Sequence, residues 1–331
     1  MENMSTVGSN FKGGTIRDGA EFKKLCSLVL RNTKCYFKDK FTFFMSMITP
    51  IILFILFVTF LRNVYIEQFT SSFKANNIVV DPKIIEGCAG AWLMSSILSV
   101  SAVTVAFCSN TIMIDDRINS AVNDFRISPV KGTTISLSYF ISNFLVTTVV
   151  LVVVMLIGHV YLACVGWYIS LADTFMVIVD ILCLVLFGTL LAGVVESFIK
   201  TQGGLSAVST LVSSMYGFIC GAYMPISSFS AGLQNVLSLL PGTYGVGIMR
   251  NHYLNGYMAA FIEEMRAASV DENIISEVIN GIRDSFDANL YSFGTDIGLG
   301  AMFGILLGTC CVLLAVYVLI VILKNKKKKA V

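Results

Sequence analysis

Six long apolar runs, nearly free of charged residues, dominate this sequence and leave few architectures open to the chain. Runs of eighteen residues or more are typical of membrane helices, because about 20 residues at a rise of 1.5 Å cross the hydrocarbon core. The runs extend from Phe41 to Leu61, from Gly87 to Ile114, from Gly132 to between Gly158 and Gly166, from about Thr174 to Val195, from about Leu205 to Met224 and from Ile297 to Leu323. The sequence predicts an all-α integral membrane protein with six transmembrane helices.

The composition indicates that the bilayer, and not water, is the main solvent of the chain. Of its 331 residues 56% are apolar and 13% charged, whereas soluble domains carry about 25% charged residues. The nine cysteines form no CxxC pair and are interpreted as small apolar residues, with no disulfide framework and no metal site. The sequence contains no GxxxxGK[ST], HExxH or GxSxG motif, so we expect no catalytic residue and no cofactor in this chain.

Basic residues are distributed unequally between the connections of the six spans. With both termini in the cytoplasm, the inner segments hold 17 of the 23 Lys and Arg residues and the outer segments hold 6. Inner connections of membrane proteins carry such an excess. We therefore expect a multi-pass protein of the plasma membrane with a cytoplasmic arm (1–40), a six-span domain (41–323) and a cytoplasmic Lys-rich tail (324–331).

The cytoplasmic arm ends in a predicted amphipathic helix over residues 19–40. One face carries apolar side chains, namely Phe22, Leu25, Val29 and Tyr36. Such a helix lies at the membrane surface with its cations near anionic headgroups. The alternative is an ordinary solvated arm, and the segregation of apolar residues on one face favours the interfacial helix.

The longest connection, residues 225–296, lies outside in this orientation and is predicted to be helical between the fifth and sixth spans. Apolar residues recur at helical spacing from Phe229 to Leu240, before Pro241 and Gly242 stop the run. Further on, Ser269 and Glu272 have the spacing of a capping box. They would begin a helix whose apolar stripe comprises Ile274, Ile275, Val278, Ile279, Ile282 and Phe286.

Asp180 is the one acidic residue well inside a predicted span. An uncompensated carboxylate at the bilayer centre costs about 2.5 to 3.5 kcal/mol. One interpretation makes Asp180 a proton or cation relay. The other places it near the outer surface, hydrogen-bonded between helices or neutral, and is favoured because no Lys, Arg or Glu lies at helical spacing from it. Glu196, near the inner end of the same span, is expected at the membrane interface.

The cytoplasmic loop between the second and third spans, residues 115–132, is suited to dock on a soluble partner. It combines charged residues with an exposed Phe in a short helix held between two membrane helices, the kind of element that fits a groove. Its candidate partner-binding residues are Asp115, Asp116, Arg117, Asp124, Phe125, Arg126, Ser128 and Pro129.

This loop resembles that of the ABC type-2 transporter permease family, the six-span membrane subunits of bacterial ABC exporters such as the daunorubicin-resistance-like permeases. The matching residues are Asp116, Arg117, Ser128, Pro129, Val130 and Lys131, whereas Ile118 and Ser120 replace the family's usual Glu and Gly. The outer segment matches at Pro225, Pro241, Tyr244 and Arg250. Pro50 in the first span and the amphipathic helix are also similar.

The resemblance implies a transport subunit without catalytic activity of its own. The loop 115–132 would contain a coupling helix seated on a separate ABC ATP-binding subunit, which binds ATP and Mg. A second permease chain, identical or not, would complete an exporter of hydrophobic or amphipathic drugs, antibiotics or lipids. Membrane lipid is the other expected partner, and nucleic acid is not expected. The alternative is an ion-coupled secondary transporter using Asp180, with discontinuous helices and an inverted repeat.

Overall fold

The computed structural model describes residues 13–74, 78–119, 121 and 130–329. Its longer helices are α1 (Gly13–Lys38), α2 (Lys40–Leu56), α3 (Arg62–Lys74), α4 (Pro82–Ser109), α5 (Thr111–Ile118), α6 (Gly132–Val165), α7 (Leu171–Glu196), α8 (Gln202–Ile219), α9 (Ala231–Leu237), α10 (Pro241–Ala267), α11 (Glu272–Ser285) and α12 (Leu299–Lys329). A π-helical turn (Phe57–Leu61) joins α2 to α3, and a 3-10 turn (Ile226–Ser228) precedes α9. Two short strands, β1 (Tyr291–Ser292) and β2 (Thr295–Asp296), pair as an antiparallel hairpin.

Five helical segments of the described residues are long and apolar enough to cross a membrane. They are Lys40–Ser71, Pro82–Ile118, Gly132–Val165, Leu171–Glu196 and Leu299–Lys324, and each contains most of one predicted span. The other predicted span, from Leu205 to Met224, corresponds to α8, which has 18 residues and is rich in Ser and Gly. Cys220, directly after α8, packs against Val100 of α4. The helix α8 therefore ends against the interior of the bundle.

The helix α4 is the centre of the bundle. Its apolar window is 83% buried, against 17% for the windows of Lys40–Ser71 and Leu299–Lys324. It packs against α2, α3, α6, α7, α8 and α10. The backbones of α4 and α7 approach closely at Gly188, where a Cβ atom would lie 2.5 Å from the Ala102 carbonyl oxygen. The outer helices α2 and α12 expose apolar side chains along much of their length, as expected of surfaces that face lipid.

The segment predicted as an outer loop contributes a helix to the bundle interior. Pro241 does not only stop a helix but also begins α10, where its missing N–H is harmless at the first position. The helix α10 packs against α4, α7 and α12 and is buried along most of its first half. Because Val246 lies in the same cluster as Val100 and Cys220, the start of α10 lies beside the end of α8. Sequence hydropathy underestimated this helix because it carries polar residues that pair inside the protein.

The amphipathic helix α11 forms as expected but begins differently. The predicted capping box is wrong: Asp271 is the N-cap and accepts a hydrogen bond from the Asn273 N–H, while Ser269 adopts a positive φ of 58° before the helix. The apolar stripe is buried except for Ile274, which is exposed, and α11 packs against α3. The ring of Phe286, the residue after α11, stacks on Phe69 at 3.7 Å between centroids. The helix α11 therefore covers the end of α3.

Candidate coupling site

The chain breaks its second long helix at Asn110, between α4 and α5. The Asn110 side-chain amide donates a 2.6 Å hydrogen bond to Glu196 at the end of α7. Glu196 is completely buried between helices, whereas the sequence predicted a position at the membrane interface. This burial could not be predicted, because the Asn110 amide that binds the carboxyl lies 86 residues away. The contact attaches the start of α5 to α7.

Asp116 lies in α5 and is buried by two neighbouring helices. Arg31 of α1 donates to both of its carboxylate oxygens, and the Tyr139 hydroxyl of α6 donates to it across 2.6 Å. The hydrogen bond to Asp116 raises the pKa of the Arg31 guanidinium above its usual range. A guanidinium that donates to both oxygens of a carboxylate is fixed in orientation as well as in distance. Asp116 therefore joins α5 to α1 and α6 together, and we name Arg31, Asp116 and Tyr139 the base cluster.

The helix α1 packs along the first turns of α6, with polar contacts between them. The Asn32 amide donates to the Ser138 hydroxyl at 3.4 Å, and the Thr33 and Ser142 hydroxyls lie 3.1 Å apart. Toward the other end of α1, the Thr134 hydroxyl donates to Glu21 at 3.3 Å. The predicted amphipathic helix is present, but its apolar face is divided. Phe22 is 67% exposed, whereas the other members of that face, Leu25, Val29 and Tyr36, are partly or fully buried.

Three of the eight residues predicted to bind a partner lie in the described part of the chain. Asp115 is half-buried, Asp116 is held inside the base cluster, and Arg117 is exposed with a side-chain nitrogen 3.2 Å from the Met113 sulfur. The other five, Asp124, Phe125, Arg126, Ser128 and Pro129, lie outside the described residues. The structure thus places Asp116 as an internal anchor of the loop, and the surface-facing positions of α5 are those around Arg117.

A model of the ABC-2 type transporter family matches residues 23–254, which is well over half of the chain. The chain belongs to the ABC-2 type transporter family. The match begins in α1, ends in α10 and includes the base cluster, and it confirms the resemblance drawn from the sequence. No curated protein sequence matches the chain significantly. The protein is therefore a membrane permease subunit of an ABC transporter, and such subunits generally work with an ATP-binding subunit.

Inside the permease, Asp180 of α7 has a partner that the sequence analysis did not recognise. Its Oδ2 lies 2.6 Å from Nδ1 of His252 in α10, and the Asp180 side chain is completely buried. Its other oxygen has no hydrogen-bond partner among the described residues. The sequence shows no Lys, Arg or Glu at helical spacing from Asp180, and His252 lies in the segment that was predicted to be an outer loop. Only the inward position of α10 brings the two residues together.

A second buried ion pair joins α10 to the chain just after α11. Arg250 of α10 donates to Asp287 at 3.1 Å and to the Gly221 carbonyl at 2.5 Å, and its guanidinium lies 4.8 Å from the centre of the Trp92 ring. Asp287 also accepts hydrogen bonds from the Ile226 and Ser227 N–H groups. We name Arg250, Asp287 and these backbone groups the outer cluster. It ties α10, the end of α11 and the turn after α8 to one another.

A cleft of about 390 Å³ lies between α2, α4 and α8. Its walls include aromatic and aliphatic side chains together with serine hydroxyls, and no charged side chain among the described residues lines it. Representative lining residues are Leu53, Leu61, Tyr65, Trp92, Ser214 and Phe218. Leu61 belongs to the π-helical turn, an irregularity that is frequent at functional sites. The volume and lining are those of sites for apolar small molecules.

Proposed function

We propose that this permease forms the membrane part of an ATP-driven exporter, either as two copies or together with a different permease chain. The exporter moves a hydrophobic or amphipathic drug, antibiotic or lipid out of the cell. A separate ABC ATP-binding subunit, which binds ATP and Mg, drives it from the cytoplasmic side. The observation that carries the proposal is the base cluster. It makes α5, the helix leading into the loop 115–132, a rigid extension of the bundle instead of a loose connection.

In this mechanism the ATP-binding subunit contacts the loop 115–132, and movement of the loop is transmitted through α5. Asp116 passes the movement to α1 and α6, while Asn110 passes it to α7 through Glu196. A transition between two packed states requires such discrete contacts, because packed helices shift as rigid bodies. The exposed end of α1 around Phe22 lies on the same side of the bundle and would brace the same subunit.

Two permease chains, identical or not, would complete the transport path. The helix α8 has an unusually open face, on which Ser206, Thr210, Ser214 and Phe218 recur at every fourth residue and are exposed. Because the cleft adjoins this helix, a second chain opposite α8 would close the cleft into a cavity shared between the chains. The uncharged lining of the cleft suits cargo without a buried charge.

We count α8 and α10 together as the fifth of six crossings, with both termini in the cytoplasm of a plasma-membrane protein. The orientation is tested with a chain whose exposed native cysteines are replaced by serine. A cysteine at Ala268, which is exposed after α10, should react with an impermeant maleimide in intact cells. A cysteine at Lys200, between α7 and α8, should react only after permeabilisation. The reverse pattern would overturn the topology.

The coupling assignment is tested by reversing charge and removing the aromatic ring in the loop. The variant Phe125→Ala/Arg126→Glu should still insert but should lose most export and most stimulation of the ATP-binding subunit. The matched control is Lys200→Glu, which changes the same charge at another exposed connection and should retain both. Unchanged export in the loop variant would remove the assignment. Uphill transport by the isolated chain in vesicles without an ATP-binding subunit would overturn the proposed function itself.

A further inference from the structure

The junction of α1 and α2 forms a compact cationic and aromatic surface that the coupling site does not use. We define the elbow as residues 34–46, which contain the last turn of α1 and the first turns of α2. Three lysines and three phenylalanines of the elbow are exposed, namely Lys34, Lys38, Lys40, Phe37, Phe41 and Phe44. Phe41 is 70% exposed and Phe44 63%. These rings require an explanation, because large apolar side chains rarely cluster on a surface exposed to water.

The elbow stands at the start of the first candidate membrane segment, which begins at Lys40. Phe41 and Phe44 lie in the first turns of that segment, while Lys34 and Lys38 precede it on α1. Rings and cations in this order are typical of the membrane interface, where aromatic side chains sit at headgroup level and lysine amines reach toward phosphate.

The three lysines keep a net positive charge at this boundary. None of them has an ion-pair or hydrogen-bond partner within residues 13–74, 78–119, 121 and 130–329. The nearest acid in sequence, Asp39, is already used as the N-cap of α2, where it accepts from the Phe41 and Thr42 N–H groups and from the Thr42 hydroxyl. Its carboxylate is therefore directed at the helix terminus and forms no ion pair with these three lysines, so the elbow keeps an excess of positive charge.

The elbow is held in one shape by buried contacts beneath this surface. The Tyr36 hydroxyl of α1 donates a 2.6 Å hydrogen bond to the Ser46 hydroxyl of α2, and Tyr36 is completely buried. The ring centroids of Phe37 and Phe43 lie 5.9 Å apart, and those of Phe43 and Phe44 lie 5.8 Å apart. Rigid spacing of the cations lowers the entropic cost of ordering them around one ligand.

We propose that the elbow is a binding site for the headgroups of anionic phospholipids in the adjoining leaflet. Charge complementarity selects this occupant, since the unpaired cations attract anionic headgroups while the exposed rings enter the acyl region below them. The residues that lie next to lipid in this proposal differ from those on the apolar face that sequence periodicity predicted. Leu25, Val29 and Tyr36 turn toward the protein, and the rings around Phe37 and Phe41 take the position next to lipid. The proposal requires only a membrane boundary at Lys40 and does not depend on export.

The test uses the full chain in nanodiscs, with bimane attached to Cys35, which is exposed between the elbow lysines. The other exposed cysteines, Cys26, Cys164 and Cys311, are replaced by serine. Quenching by dibrominated phosphatidylglycerol is compared with quenching by dibrominated phosphatidylcholine at equal mole fraction. We expect phosphatidylglycerol to associate at least about fivefold more strongly, the effect of one lysine near an anionic surface. In 1 M salt the preference should disappear, since charges are then screened beyond about 3 Å.

The variant K34Q/K38Q/K40Q should lower the preference to about one, because the local cations are gone. The matched control K74Q/K83Q/K200Q removes the same charge from three other exposed positions and should leave the preference unchanged. Equal quenching by the two lipids in the unsubstituted elbow would overturn the proposal, as would a control variant that lowers the preference equally. Absence of quenching by either lipid would assign the surface to a protein partner instead.

Discussion

The base cluster and the outer cluster each join an arginine to an aspartate that is distant in the sequence, yet they differ in their exposure. Arg31 and Asp116 are 36% and 10% exposed in their side chains, whereas Arg250 and Asp287 are 1% and 3% exposed. Removing one partner of a buried ion pair is strongly destabilising, because an uncompensated charge remains in the interior. A partly exposed pair exchanges with water at little cost. We infer that the outer cluster contributes more to the stability of the fold, whereas the base cluster mainly links α5 to α1 and α6.

The largest effect is expected from Arg250→Met. Removing the guanidinium leaves the Asp287 carboxylate buried with only two backbone N–H groups, and the loss should be about 3 to 5 kcal/mol of unfolding free energy. The measurement is reversible unfolding of the purified permease in micelles. The double variant Arg250→Met/Asp287→Asn should recover more than half of the loss, because the amide keeps an acceptor for the backbone without a charge. A loss below about 1 kcal/mol would show that the outer cluster stabilises the fold no more than an exposed ion pair does.

A smaller loss of stability is expected from His252→Phe. This substitution leaves both oxygens of the buried Asp180 carboxyl without a partner among the described residues, at a cost of about 1 to 3 kcal/mol. The cost is smaller than for Arg250 because the carboxyl can bind a proton and become neutral. Replacing Asp180 by leucine in the same chain should restore much of the loss. If the double variant were less stable than His252→Phe, the unpaired carboxyl would not be the cause.

Substitution of the base cluster should separate stability from coupling. Arg31→Gln should change the unfolding free energy by about 1 kcal/mol or less, because the pair is partly exposed and screened. It should nevertheless lower the amount of cargo exported per ATP hydrolysed severalfold, since α5 loses its link to α1. Lys24→Gln is the control, because Lys24 pairs with Glu21 on α1 itself. A loss of stability as large as that of the Arg250 variant would contradict the distinction between the clusters.

The smallest effect is expected at the exposed pair formed by Arg266 and Glu272, whose side chains are 60% and 64% exposed. Each partner shifts the pKa of the other, since the hydrogen bond lowers the pKa of Glu272 and raises that of Arg266. Arg266→Gln should nevertheless leave both the unfolding temperature and export unchanged. A measurable fall in either would show that the surface of the outer region is energetically coupled to the outer cluster.

Much of the helical organisation could be predicted because each element carries its own signal. The apolar stripe of α11 predicted a helix that the structure contains, although Asp271 replaced Ser269 as its cap. The inward position of α10 could not be predicted from hydropathy, since His252 and Arg250 lower the apolar character of a helix that pairs them internally. Because α10 was not expected inside the bundle, its residue His252, 72 positions from Asp180, was not recognised as the partner of that carboxyl. Asp116 was named as a candidate contact of a partner subunit, and its pairing with Arg31 and Tyr139 was not predicted.

The sequence by itself determined the class of the protein. Hydrocarbon imposes a minimum length on any helix that crosses it, so apolar runs reveal such helices without reference to the rest of the chain. Tertiary structure alone decided which polar groups meet, because residues such as Arg31 and Asp116, 85 positions apart, share no local periodicity. Pairing across helices depends on their packing, and one-dimensional spacing does not contain that information.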